Sequence, residues 1–158
     1  MNLGITITST VLVLLVVAPV VLMQQQQKNK ERKLLKALKS LASQHHSSIT
    51  EYDIFKNFAI GLDNQNNYLF FYKSHSTNET FQRINLNNIK SCGVSSSRKP
   101  NHKNSSGDIV RIELVFNSTV NSSDNQSIEI YNQTEDFQLN GELEIVRKWE
   151  HKIREILK

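Results

Sequence analysis

Apolar and polar residues alternate along this 158-residue chain in three successive ways. From Leu3 to Met23 no side chain is charged. At about 1.5 Å per helical residue such a run spans roughly the 30 Å hydrocarbon core of a bilayer, so a transmembrane helix is predicted over 1–23. Pro19 is compatible with a membrane helix. Beyond four glutamines, Leu34, Leu35, Leu38, Leu41 and Ala42 recur at steps of three and four with lysines between them. This predicts a basic amphipathic juxtamembrane helix over 24–44. The pattern allows it to prolong the first helix, to lie along the membrane surface or to pack on the body, and a short helical stalk is the favoured reading.

From residue 45 the period changes to two. "NFAIGLDNQNNYLFFYK" places apolar strand residues on both sides of a turn-forming "DNQNN" and predicts a hairpin. "TFQRINLNNIKSCGVSSS" predicts two strand segments joined through "NLNNI". "DIVRIELVF" alternates, with Val110, Ile112, Leu114 and Phe116 on one face, and "QSIEIYN" continues through Ile128 and Ile130. Finally Leu139, Leu143, Val146, Trp149, Ile153, Ile156 and Leu157 form a helical stripe, with Asn140 as the expected N-cap. Residues 45–158 are enough for one core and one domain, mainly β with a C-terminal helix closing an antiparallel sheet or open barrel.

Charge separates the segments. Residues 24–44 hold six basic side chains (Lys28, Lys30, Arg32, Lys33, Lys36, Lys39) against Glu31, whereas 45–158 hold thirteen basic and fourteen acidic. The body is therefore near neutral, which argues against a nucleic-acid partner. The collar, by the positive-inside bias, predicts an inner-membrane, single-pass chain with its N-terminus out and its body in the cytoplasm. The same six residues are candidates for contact with anionic lipid headgroups. A cleaved signal fits less well, because Met1 to Gly4 carries no basic residue and "APVVLMQQQQ" has no Ala-x-Ala pattern. The single cysteine, Cys92, rules out a cysteine-linked lipid near the apolar run.

The strand order, "YLFFYK", the strand-turn-strand "INLNNIKSCGV" and Trp149 in a closing helix together resemble a pleckstrin-homology-like domain of the bacterial type, over about residues 48–157. The chain is also similar in outline to small bacterial single-span membrane proteins of unknown function. Members that bind phosphoinositides carry basic residues around the first hairpin loop, and "DNQNN" has none. The resemblance therefore implies a protein-binding or scaffolding surface, with the protein partner unspecified.

Candidate chemistry is sparse. No Gly-x-Ser-x-Gly, His-Glu-x-x-His or phosphate-loop pattern occurs, and the five glycines leave little for a cofactor loop. The expectation is a non-enzymatic chain with no cofactor and no metal. Cys92 reads as a buried strand residue and His151–Glu155 as a solvated i,i+4 pair. "SSSRKPNHKNSSGD" predicts a solvated hairpin connection in which Arg98, Lys99 and Lys103, beside His102, form a candidate partner loop. Asn-x-Ser/Thr tripeptides begin at Asn78, Asn104, Asn117, Asn121, Asn125 and Asn132. They keep open an exoplasmic or lumenal, glycosylated binding domain as the alternative. An enzyme whose site is assembled from scattered polar residues is the second rival. The favoured function is a membrane-anchored cytoplasmic interaction or scaffolding module.

Overall fold

The three patterns build a helix, two antiparallel sheets and a second helix. The computed structural model describes residues 3–75, 78–101, 104–120, 124–136 and 138–158. Helix α1 runs unbroken over Leu3–Gln44, with Pro19 inside it. Strands β1 (Glu51–Phe55), β2 (Phe58–Asp63), β3 (Tyr68–Ser74) and β4 (Glu79–Asn85) follow. A 3-10 turn at Leu86–Asn88 leads to β5 (Ile89–Asn101), β6 (Asn104–Ser118), β7 (Gln126–Asn132) and α2 (Glu142–Ile156). The sheets are ordered β1-β2-β3-β4 and β5-β6-β7, each between consecutive antiparallel strands.

The predicted hairpin is β2–β3, and Asp63 makes its turn. This buried carboxylate accepts from the N–H groups of Gln65 (2.9 Å), Asn66 (3.1 Å) and Ser48 (3.1 Å) and from the Asn66 side chain (2.8 Å). Burial pushes its pKa up, but these donors outweigh burial and hold the carboxyl below the usual range. "DNQNN" is nevertheless the second turn of the sheet. The first joins β1 to β2 through Lys56 and Asn57, with Lys56 at a φ of 47°, so the first hairpin loop does contain a basic residue. Strand β1 escaped the sequence reading because "EYDIF" mixes charge with apolar residues: its outer and inner faces are both partly covered.

Alternation sorts the core. Phe58, Ile60, Leu62, Leu69 and Phe71 point between the sheets, where they meet Ile112, Leu114, Phe116 and Ile128. Trp149, Val146 and Ile153 of α2 pack on the same cluster, and Trp149 is 2 % exposed. Ile109, rather than Val110, joins it, because the pairings Ser97↔Arg111 and Arg98↔Ile109 leave Val110 as the extra residue of a bulge. A bulge reverses which alternate residues face inward. The opposite face of β2 and β3, with Ala59, Phe70 and Tyr72, is buried as well, against Leu34, Leu38 and Ala42 of α1. The second half of α1 is thus docked on the sheet rather than standing free as a stalk. Gly61 permits the approach: a Cβ there would lie 2.9 Å from both Leu38 and Ile49.

Two further expectations are corrected. Helix α2 starts one residue later than expected, after Gly141 at φ 95°, and Asn140 is not its cap. A Cβ at position 141 would meet the Phe55 ring at 3.2 Å, so the left-handed, side-chain-free residue turns the chain here. Leu139 precedes the helix yet still packs on the core, while Ile156 is 37 % exposed. The connection expected around Arg98 and Lys99 is instead a two-stranded ribbon, since β5 reaches Asn101 and β6 starts at Asn104. Serine-rich segments sustain such a ribbon by main-chain bonds alone, with no apolar face to signal it. Lys103 and His102 lie outside the described residues.

Candidate membrane-facing site

Helix α1 is long and apolar enough to cross a membrane, and no other described residue covers its apolar stretch. From Val11 to Met23 its large apolar side chains are 46–70 % exposed. The body approaches the end of this run. A cleft of about 480 Å³ is lined by Met23, Gln26, Gln27, Lys30 and Glu31 of α1 and by Lys56 and Asn57 of the β1–β2 turn. One end of the sheets therefore sits level with the last apolar residue. The Asp63–Asn67 turn lies at the other end, because β2 runs away from it alongside α1.

Behind the β1–β2 turn a second cleft of about 430 Å³ shares Lys56 and Asn57 and adds His75, Glu135, Asp136, Gln138, Asn140 and Glu142. A hydrogen-bond network forms its wall. Strand alternation puts Lys73 on the inner face of β3, after Leu69 and Phe71, where it is 5 % exposed. Its ammonium donates to Asp136 Oδ2 (2.9 Å) and to the Ile130 carbonyl (3.2 Å). Asp136 also accepts from the Asn132 N–H (3.0 Å) and the Asn57 side chain (3.0 Å). Burial raises the Asp136 pKa, but the bonds from Asn132, Lys73 and Asn57 prevail and hold it below the usual carboxylate range. Lys56 donates to Glu142 Oε1 (2.6 Å) and to the Gln138 carbonyl (3.2 Å), tying the turn to the start of α2.

The partners assign a tautomer to His75. Its Nε2 faces the Glu135 carbonyl at 2.8 Å and must donate, while its Nδ1 faces the Asn57 amide nitrogen at 3.3 Å and must accept. This end of the molecule presents paired charges and amide side chains around two clefts, an arrangement suited to polar contacts. Cys92 lies elsewhere in the core, and burial, with Glu150 nearby, pushes its thiol up to about 12, so it is not a reactive thiolate. No group of three His, Cys, Asp or Glu side chains with metal-binding geometry occurs among the described residues.

The six collar residues are all exposed on α1 but serve different faces. Lys30 lines the cleft, whereas Arg32, Lys36 and Lys39 share the face opposite the docked leucines. Arg98 and Lys99 are exposed on β5, away from the clefts, and the Arg98 guanidinium donates to the Gly107 carbonyl at 3.4 Å. His151 and Glu155 form an exposed pair at 3.4 Å. Sequence reasoning missed Lys56, Asn57, Lys73, Asp136 and Glu142. One signal was available: the alternation of "YLFFYK" puts Lys73 on the core face, where it needs an acid. Comparison of this chain with known protein families, curated proteins and solved structures finds no match.

Proposed function

We propose that the chain is a single-span membrane protein that holds a pleckstrin-homology-like interaction module against the cytoplasmic face of the inner membrane, with its N-terminus outside. The observation that carries this reading is the continuity of α1, whose apolar run passes without a break into the segment docked on β2 and β3. Anchor and body then move as one piece, and the end bearing Lys56 and Asn57 faces the headgroups. Two meandering sheets of four and three strands with a closing helix support the family resemblance. The collar supports the cytoplasmic side, since translocating the body would carry six cations across with only Glu31 to offset them. Among the described asparagines of these tripeptides, Asn117 donates to Ser91 (2.9 Å), Asn132 donates to Glu129 (3.1 Å), and Asn125 accepts from the Ser118 N–H (3.0 Å). That weakens the glycosylated alternative.

A cysteine probe tests the orientation. With Cys92→Ser to remove the buried thiol, Ser97→Cys places a new one at an exposed position of β5. In intact cells an impermeant maleimide should leave it unmodified, and labelling should appear once the membrane is opened. Full labelling before lysis would put the body outside.

A further inference from the structure

The collar is too tall to serve lipid alone. Counting about 1.5 Å per residue along α1, Lys28 and Lys30 stand roughly 7–10 Å past Met23, but Lys36 and Lys39 stand roughly 20 and 24 Å past it. A tilt of about 20° removes only about a twentieth of that height. The headgroup layer is about 5–7 Å thick on each side and the Debye length about 8 Å, so Lys36 and Lys39 lie beyond both. Their surroundings are also unlike a plain solvated face. Arg32, Leu35, Lys36, Lys39, Ser40 and Ser43 line one open groove on α1, opposite the leucines that dock on the sheet. Lys39 Nζ stands 5.5 Å from the ring centroid of Tyr52, which is 44 % exposed on β1. Among the described residues Arg32, Lys36 and Lys39 make no ion pair, as is also true of Lys90 and Arg147 of the body, while Lys56, Lys73, Lys148 and Lys152 each face a carboxylate; what sets the three apart is that they lie together along one helix face.

Resting on the reading of the chain as a membrane-anchored cytoplasmic module, we propose that this upper face of α1, with Tyr52 beside it, is a docking surface for an acidic segment of another protein. Three cations without ion-pair partners, about one helical turn apart, present a row of positive charge that a run of Asp and Glu complements; Leu35 supplies apolar area in the groove and Tyr52 flanks it beside Lys39. A second copy of this chain does not fit face to face, because the same surface would meet its own positive charge. The lipid surface does not reach it.

Photo-cross-linking in native membranes tests this with the full chain. A benzophenone side chain placed at the exposed Ser40 reports on the groove, and one at the exposed Arg147 reports on α2, away from it. The expected result is a protein adduct at position 40 whose linked peptide is rich in Asp and Glu. Its yield should fall about tenfold in Lys36→Gln/Lys39→Gln, a loss of about 1.4 kcal/mol, and stay unchanged in Lys90→Gln/Lys158→Gln, which removes the same charge at exposed positions elsewhere on the body. Adducts to lipid, to a second copy or to a non-acidic peptide overturn the proposal, as does equal loss in both double variants. Adducts at position 147 with none at 40 sink this surface while leaving the interaction-module reading intact, and absence of protein adducts at both positions sinks both.

Discussion

Trp149 shows how one side chain joins several elements. Its ring is buried among strands of both sheets, and its Nε1–H donates to Asp53 Oδ2 at 2.9 Å, so β1 and α2 are fastened through it. Trp149→Ala should destabilise the body by about 3–5 kcal/mol, read as a shift of the urea midpoint. Lys148 bonds the same carboxylate at 2.7 Å but its side chain is 59 % exposed. Lys148→Ala should therefore change the midpoint little, within about 1 kcal/mol. Asp136 poses the opposite case, a carboxylate 12 % exposed that neutralises a buried lysine. Leaving Lys73 unpaired by Asp136→Asn should cost about 3 kcal/mol at neutral pH. Because the folded-state pKa of Asp136 is depressed, its contribution is complete above the ordinary aspartate value of about 3.9 and is lost as pH falls through the lower folded value. The gap between wild type and Asp136→Asn should accordingly narrow progressively as the urea titration is repeated at lower pH, starting below about pH 4, and close once the pH is below the folded value. A gap that persists at low pH would mean that the amide disrupts the loop for another reason.

Among the elements, α1 carries two different loads along one length. Its first half is uncharged and mostly apolar, and its second half is apolar on one side only, with Leu34, Leu38 and Ala42 pressed on Ala59, Phe70 and Tyr72. Gly61 sets the spacing between helix and sheet. Gly61→Val should push α1 off the sheet, because the branched side chain would occupy the space of Leu38 and Ile49. The expected readout is faster hydrogen exchange in residues 34–44 while β5, β6 and β7 stay protected. Unchanged exchange would show that the flexible ends of Leu38 and Ile49 give way. The docking also explains why β2 and β3 read as nearly continuous apolar runs: they are covered on both faces, as strands between two layers are. The ribbon of β5 and β6 was invisible for the converse reason, since its serines carry no apolar period.

At the scale of the molecule, anchor and body share a boundary that does not coincide with the change of pattern at residue 44. A chain beginning at Lys28 keeps the docked turns of α1 and discards the apolar run, and should be soluble and monomeric by size-exclusion chromatography. A chain beginning at His45 uncovers Phe70, Tyr72 and their neighbours and should aggregate or expose a dye-binding apolar face. Equal solubility of the two would mean that the helix contributes little to the fold. The docked helix also fixes which end of the sheets lies beside the apolar run, and from this the distance of each collar residue from that run follows.

The sequence by itself determined what depends on local period: an apolar helix long enough to span a membrane, a basic amphipathic continuation, the β2–β3 hairpin with its turn at Asp63, the alternation in β6 and β7, and the stripe of α2 around Trp149. Each is written in neighbouring residues, because burial on one face imposes a repeat that the chain displays. The tertiary structure decided what depends on residues distant in the chain. The bulge that turns Ile109 inward is set by pairing with β5, the left-handed start of α2 by Phe55, the union of Lys73 with Asp136 by the meeting of β3 and the loop after β7, and the second face of β2 and β3 by α1. Such contacts leave no period in either partner alone, since each partner's half is an ordinary residue until the fold brings the other half to it.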